Sequence, residues 1–329
     1  MAAEGNIIVR FLYTGTEGEI IPDEATHITV AESCTFVRAR SFWGNRNIVE
    51  VICHDRVEKI EFFAFSGCRS LRRVIMPGVK IVGRCAFSDC GALTEMECDK
   101  VEIIGDQAFQ VCQSLRAINL PSSRIVEGFS FQHCYVLTDV KFGSNLERID
   151  ELAFNECCSL DRIAIPLKDG LIIADDTFQA CENLKFVDLV EGEVHAIIAS
   201  FNMEEWRNDV NKEIGSINQI LPNARAGYWD EWNDDDGEKA IEIRRWIRSV
   251  LGKIDHYKAE HQRVLNETTT LLELAIWKSN LDDTDESQIV REGVRTTRGS
   301  VKRARREICI TSGASIVIKN VLPFLQLKS

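Results

Sequence analysis

At 329 residues and 37.2 kDa the chain is too long for a single small core and predicts either one repetitive array or two ordinary domains. Its 45% apolar and 27% charged residues are ordinary globular usage, which excludes a fully disordered or collagen-like chain. The net charge of −12 repels nucleic acid and anionic lipid over most of the surface, and it is uneven, with −11 on residues 1–200 and −1 on residues 201–329.

Residues 1–20 (MAAEGNIIVRFLYTGTEGEI) lack a basic start and a sustained apolar core, and no run of about 18 apolar residues occurs anywhere. The expectation is a chain that neither spans a membrane nor is secreted, placed in the cytoplasm or the nucleus. Twelve cysteines in that setting read as reduced thiols rather than disulfides, and the sequon Asn266-Glu267-Thr268 as chance. Residues 1–25 read as an N-terminal β cap: IIVRFLY and ITV flank the turn-rich TGTEGEIIPDEATH, which predicts a hairpin over the open end of a sheet.

Residues 26–200 form a repeat. Phe recurs at 42, 65, 87, 109, 131, 154, 178 and 201, with intervals of 22 to 24 residues. Three residues after six of these stands a Cys (Cys68, Cys90, Cys112, Cys134, Cys157, Cys181), with Asn45 in that slot of the first repeat. Six residues after Phe comes Ile48 or a Leu from Leu71 to Leu184. Pairs such as Val74/Met76, Ile118/Leu120 and Val187/Leu189 follow at two-residue spacing and read as short strands. Five residues before Phe lies a Val or Ile from Val37 to Ile173, a second apolar stitch on the opposite side. The stretches VEKIEFFAFSGCRSLRRVIMP and VEIIGDQAFQVCQSLRAINLP resemble the BspA-like leucine-rich repeat. That resemblance covers about residues 26 to 200 and implies a solenoid of seven coils with short parallel strands, an α/β repeat used for binding. Family members known for surface adhesion carry export signals, so adhesion is implied by analogy alone.

Stacked strands lie about 4.8 Å apart, so the aligned cysteines should form an inward ladder at that spacing. A linear stack offers no tetrahedral convergence, and buried thiols that fill gaps and bond to backbone are expected rather than a metal site. Alternation along each strand turns residues eight and ten after Phe outward. That row runs Glu50/Ile52, Arg73/Ile75, Glu95/Glu97, Ala117/Asn119, Asp139/Lys141, Arg162/Ala164 and Phe186/Asp188. Both signs of charge alternate with apolar side chains, which suits a protein or peptide ligand better than a polyanion. These residues are the candidate partner-binding site.

Residues 201–280 read as a helical region. Met203, Trp206, Val210, Ile214, Ile217 and Leu221 recur at helical spacing up to Pro222. The loop ARAGYWDEWNDDDGE follows, acidic and aromatic, either a docking motif or a solvated linker. From Glu238 to about Asn280 a heptad stripe takes Ile243, Ile247, Val250, Ile254, Tyr257, His261, Val264, Thr268, Leu271 and Ala275. Forty residues of helix span about 60 Å against about 27 Å for the preceding one. The surplus has to pack within the chain or on a second copy, so the chain is a monomer or a coiled-coil dimer. LDDTDESQ predicts a polar break, and residues 281–329 a basic and apolar C-terminal segment in which residues 288–306 carry +6. Lys302, Arg303, Arg305 and Arg306 could act as a targeting signal or a nucleic-acid patch, although no aromatic residues interleave for base stacking.

No serine elbow, HExxH, dinucleotide glycine fingerprint or CxxC pair occurs, and the six His recur with no partner at a fixed repeat position. Gly78 to Gly83 followed by Arg84 and Cys85 has phosphate-loop spacing without the Lys and Ser or Thr. The expectation is a non-enzymatic intracellular scaffold without cofactor or metal, binding an unidentified protein or peptide. A nuclear regulator using the basic segment is the alternative, and cell-surface adhesion a weaker one.

Overall fold

The computed structural model describes residues 8–190, 193–201, 203–227, 229–230, 233–234 and 238–291. The chain divides into two compact units, residues 1–195 with 211–251 and residues 196–210 with 252–329.

The first unit is a parallel solenoid. One side carries the strands Arg10–Tyr13, His27–Val30, Glu50–Ile52, Arg73–Ile75 and Glu95–Glu97 in one sheet, and Ala117–Leu120, Asp139–Phe142, Arg162–Ile165 and Phe186–Leu189 in a second. The opposite side is a continuous seven-stranded sheet of two-residue strands running from Phe36–Val37 to Ile172–Ile173. All these strands pair in parallel, and equivalent residues of successive coils face one another, as in Glu50↔Arg73↔Glu95.

Between the two sides the phenylalanines form a spine. Consecutive rings from Phe42 to Phe178 stack at centroid distances of 4.8 to 5.7 Å and interplanar angles of 15° or less, and Tyr13 continues the series at 5.0 Å from Phe42. From Phe65 to Phe154 each spine carbonyl accepts twice, once from the Cys N–H three residues on and once from the Cys thiol of the following coil, while Phe42 takes the N–H of Asn45 in place of a Cys. The thiols of Cys68, Cys90, Cys112, Cys134, Cys157 and Cys181 reach the carbonyls of Phe42, Phe65, Phe87, Phe109, Phe131 and Phe154 at 3.0 to 3.3 Å. The cysteine ladder thus fills the second lone pair of a carbonyl that water cannot reach. Asn45, in the same slot of the first coil, instead accepts from the N–H groups of Asn47 and Ile48.

The turns around Phe42 to Phe154 use left-handed backbone on both sides of the ring, and that of Phe178 only after it. The residue two before is Arg40, Phe63, Cys85, Gln107, Phe129 or Leu152, and the residue two after is Gly44, Gly67, Asp89, Val111, His133, Glu156 or Ala180, all at φ between 52° and 77°. That geometry lets the second residue's N–H reach the next coil, as Gly67 does with Ser88 and Val111 with Gln132. Gly78 and Gly83, whose spacing imitates a phosphate loop, serve close packing. A Cβ on Gly78 would lie 2.0 Å from the Asp55 carbonyl oxygen, and one on Gly83 2.9 Å from that of Ile60.

At the N-terminal end the structure corrects the predicted hairpin. Arg10–Tyr13 pairs with His27–Val30 in parallel, with Arg10 opposite His27 and Tyr13 opposite Val30. The connection of residues 14–26 is long enough to be a solenoid crossover, whereas a hairpin joins antiparallel strands by a tight turn. This segment is an additional coil, and its strand residue Tyr13 caps the spine with a ring tilted 58° to that of Phe42.

At the other end three helices follow: α1 Glu193–Ser200, α2 Glu204–Ile220 and α3 Glu238–Arg291, with a 3-10 turn at Leu221–Asn223 after α2. The repeat reading had extended the solenoid to residue 200, and α1 occupies its last part. Within the first unit, the end of α2, residues 225–227 and the start of α3 take the bonds a further coil would make. Ala180 donates to the carbonyls of Ala226 and Gly227 at 2.8 and 3.0 Å, and Asn218 Oδ1 accepts from Val187 N–H at 2.9 Å. Arg244 donates to Ile173 O at 2.7 Å and pairs with Asp175. Lys239, 1% exposed, sends its Nζ to the carbonyls of Glu182, Leu184 and Leu221 at 3.2, 2.7 and 3.4 Å. Within the array the carbonyl equivalent to that of Glu182 is taken by a side chain of the following coil, as Ser114 does for Gly91 and Asn183 for Cys158. Burial pulls the Lys239 ammonium below its ordinary pKa, while the three carbonyl acceptors that replace water favour its charged form.

In the second unit Phe201 joins an aromatic cluster with Trp206 and Tyr257, whose rings stack at 5.3 Å. Asp209 accepts from Lys253 Nζ and Tyr257 OH at 2.9 Å each. The heptad stripe therefore meets α2 within the same chain around Tyr257. Farther on, Leu271, Leu274, Ile276 and Trp277 are exposed. The predicted break at LDDTDESQ does not occur, since α3 continues to Arg291. The segment holds no Pro or Gly, and acidic residues alone do not stop a helix already propagating.

Three stability tests follow from this architecture. Val111 is β-branched and held at φ 62°, so Val111→Asn should raise stability by about 1 kcal/mol, read as a higher melting temperature. Lys239→Met should cost at least about 2 kcal/mol in urea unfolding by leaving buried carbonyls unpaired. Burial pushes the thiols of Cys53, Cys68 and Cys98 from 9.0 up to about 12. A raised native pKa gives stability that is full below the unfolded value and is lost as pH climbs toward the native one. The melting temperature should therefore fall between about pH 9 and pH 12, each thiol removing about 1.4 kcal/mol per pH unit. Cys53→Ala with Cys68→Ala should flatten that slope.

Candidate interaction face

The row predicted to face outward lies on the strands as expected from their alternation. On the first sheet, register places Arg10, His27, Glu50, Arg73 and Glu95 in one column across the strands. Leu12, Thr29, Ile52, Ile75 and Glu97 form the second. Arg73 is the electrostatic centre of this half. Its guanidinium lies 3.1 Å from Glu50, 3.4 Å from Glu95 and 3.6 Å from Glu97, while His27 stands 4.0 Å from Glu50 on the other side. Such exposed pairs contribute little to stability individually, but together they hold the charged side chains in one arrangement beside the aliphatic column. In that column Leu12 is 57% exposed and Ile52 36%, with Ile75 half-buried.

The second half carries Ala117, Asp139, Arg162 and Phe186 in one column and Asn119, Lys141, Ala164 and Asp188 in the other. Arg162 donates to Asp188 at 2.6 Å and lies 4.7 Å over the Phe186 ring. The bond to Asp188 raises the Arg162 pKa. Phe186 is thus half-covered from within the chain rather than open, as the sequence had suggested. The two halves are separate sheets: Glu95–Glu97 and Ala117–Leu120 are not paired, although the spine continues between them with Phe87 and Phe109 at 5.4 Å. Sequence reasoning missed Leu12, because the hairpin reading took its strand out of the repeat register. The alternation in RFLY was the available signal.

Lys302, Arg303, Arg305 and Arg306 lie outside the described residues, as do Tyr228, Glu231, Trp232, Asp235, Asp236 and Gly237 of the acidic and aromatic loop before α3. Among the described residues no group of three or more His, Cys, Asp or Glu could hold a metal ion. No helix among them is long and apolar enough to cross a membrane.

The model of the BspA-type leucine-rich repeat region matches residues 35–125 and 103–204, in six copies. The chain belongs to the BspA-type leucine-rich repeat family. A BspA-type repeat stack supports a protein-interaction or surface-repeat role. Among solved structures, this BspA-type chain is similar to a leucine-rich cell surface protein from Faecalibacterium prausnitzii A2-165, at 26% identity over 55% of this chain and 47% of that one, with a TM-score of 0.42. It is also similar to a leucine-rich repeat protein from Bacteroides ovatus, at 20% identity over 51% and 56% of the two chains and a TM-score of 0.36. A third is the leucine-rich repeat protein of T. pallidum, at 21% identity over 56% and 70%, with a TM-score of 0.33. The chain spans about half the length of the first two. No curated protein matches it.

Proposed function

We propose that this chain is a non-enzymatic interaction module that holds a protein or peptide segment against the outward side of its sheet face. The observation that carries this reading is the aliphatic column of Leu12, Ile52 and Ile75, flanked by side chains already fixed by the ion pairs of Arg73. A face whose charged groups are held in place before contact loses less side-chain entropy on binding, and exposed aliphatic residues beside ordered charges make a contact centre with a polar rim. The mixture of Glu50, Arg73, Glu95, Glu97, Asp139, Lys141, Arg162 and Asp188 has no uniformly basic track, which disfavours nucleic acid. In this reading the module works in a reducing, intracellular compartment. Six thiols are committed to main-chain carbonyls, and their oxidation would break the ladder.

The test is affinity capture by the tagged full chain from lysate of its source cell, compared with an Ile52→Asp, Ile75→Asp chain. The captured protein should be lost by at least about tenfold while the circular dichroism spectrum and melting temperature stay unchanged. Equal capture by both chains overturns the placement of the site.

A further inference from the structure

The two ends of the solenoid are finished differently. At the last coil the open edge is closed by Asn218, Ala226, Lys239 and Arg244. At the first coil, no strand among the described residues pairs with the outer edge of Arg10–Tyr13. Its main-chain groups can be sorted by direction. Val9 O accepts from His27 N–H at 3.1 Å and Tyr13 O from Ala31 N–H at 2.8 Å, so the alternate residues Val9, Phe11 and Tyr13 turn their peptide groups to the neighbouring strand. Arg10 and Leu12 turn theirs to the outside. Thr14 is next in that outward series, and its N–H is already taken by the Glu19 carboxylate at 3.0 Å. Within the strand Arg10–Tyr13 the unused edge therefore consists of Arg10 and Leu12, two residues placed symmetrically about Phe11.

We propose that this edge pairs with the same edge of a second copy of the chain, antiparallel, about a two-fold axis at Phe11. In that register Arg10 exchanges both main-chain hydrogen bonds with Leu12 of the second copy, and Leu12 with its Arg10, so every outward group of the edge is satisfied. Residues opposite one another in an antiparallel pair point to the same face. Arg10 and Leu12 both point outward here, so the register keeps the inward side chains inside both solenoids. Shifting the axis by one residue would set an inward side chain against an outward one. Shifting it by two toward the C-terminus would bring in Thr14, whose N–H is occupied. Leu12 and Ile8, 57% and 58% exposed, become diagonal neighbours of Ile8 and Leu12 of the second copy and gain apolar cover there. An unprotected edge strand is a standing template for such pairing, and an isologous contact closes as a dimer rather than growing. The same coil carries the exposed acidic residues Glu17, Asp23 and Glu24, a like charge on both copies, so added salt should strengthen the association by screening it.

The test is sedimentation of the full chain against Leu12→Pro and Leu12→Lys. Proline removes an N–H that makes no bond within the coil, and lysine charges the edge while leaving its backbone intact. The expected result is a dimer for the native chain, tighter in higher salt, and monomers for both variants with unchanged melting temperatures measured below the dimerisation range. A mixture of Arg10→Cys chains and Leu12→Cys chains should cross-link faster than either alone. A monomeric native chain overturns the proposal, and a dimer gained on deleting residues 1–7 would then assign the edge to the chain's own start. A dimer that survives both Leu12 variants overturns it as well.

Discussion

Everything in the solenoid depends on one shared acceptor, the carbonyl of the spine Phe. Its two lone pairs take the N–H of a Cys in its own coil and the thiol of a Cys in the next, so each coil is tied internally and to its neighbour through the same atom. The ring of that Phe meanwhile stacks on the rings above and below. Phe and Cys are therefore coupled choices. A larger residue in the Cys slot would collide with the preceding coil, and an apolar one would leave a buried carbonyl with one bond where the geometry is built for two. The coil spacing set by hydrogen bonding between strands falls within the centroid range of offset-stacked rings, which is why near-parallel rings persist along the stack.

Holding this acceptor in place has a cost in backbone conformation. The coils of Phe42 to Phe154 bend into left-handed geometry on both sides of the Phe and that of Phe178 after it, and among them only Gly44 and Gly67 place glycine at the second of those positions. Asp89, Val111, His133, Glu156 and Ala180 occupy it elsewhere; the N–H of the first four reaches the following coil, and that of Ala180 reaches the carbonyls of Ala226 and Gly227. The strain is distributed along the stack and offset by the bonds it permits. The ends show the same economy in reverse. Where there is no following coil, Lys239 and Arg244 supply from the helical region the donors that the array otherwise supplies to itself, and a buried ammonium is accepted for that purpose.

The sheet face inherits its order from this interior. Because coils are in strict register, outward residues fall into columns, and neighbouring coils can exchange charge across a column. Arg73 does so with three carboxylates, and Arg162 with Asp188. A binding surface on such a stack is rigid because its backbone is rigid, and its specificity resides in side chains that the repeat leaves unconstrained. The split between the Glu95–Glu97 and Ala117–Leu120 sheets divides that surface into an aliphatic and acidic half and a half built around Arg162.

The sequence by itself determined the coil length, the inward positions, the Phe and Cys ladders and the two outward columns from Glu50 to Asp188, because each repeats the same local environment at a fixed interval. It also located α2 and most of α3, whose stripes are periodic. Tertiary structure alone decided the rest. The strand Arg10–Tyr13 could be read as half of a hairpin until its parallel partner was known, since alternation along four residues is the same in either pairing. The left-handed residues carry no glycine signature beyond Gly44 and Gly67, and nothing along the chain around Lys239 marks it as buried. Phe186 looked open until Arg162 was found above it. In each case the deciding contact joins residues of different coils or of coil and helix, and no local pattern along the chain encodes a hydrogen bond whose other half lies 55 positions away, as that of Lys239 with Leu184 does.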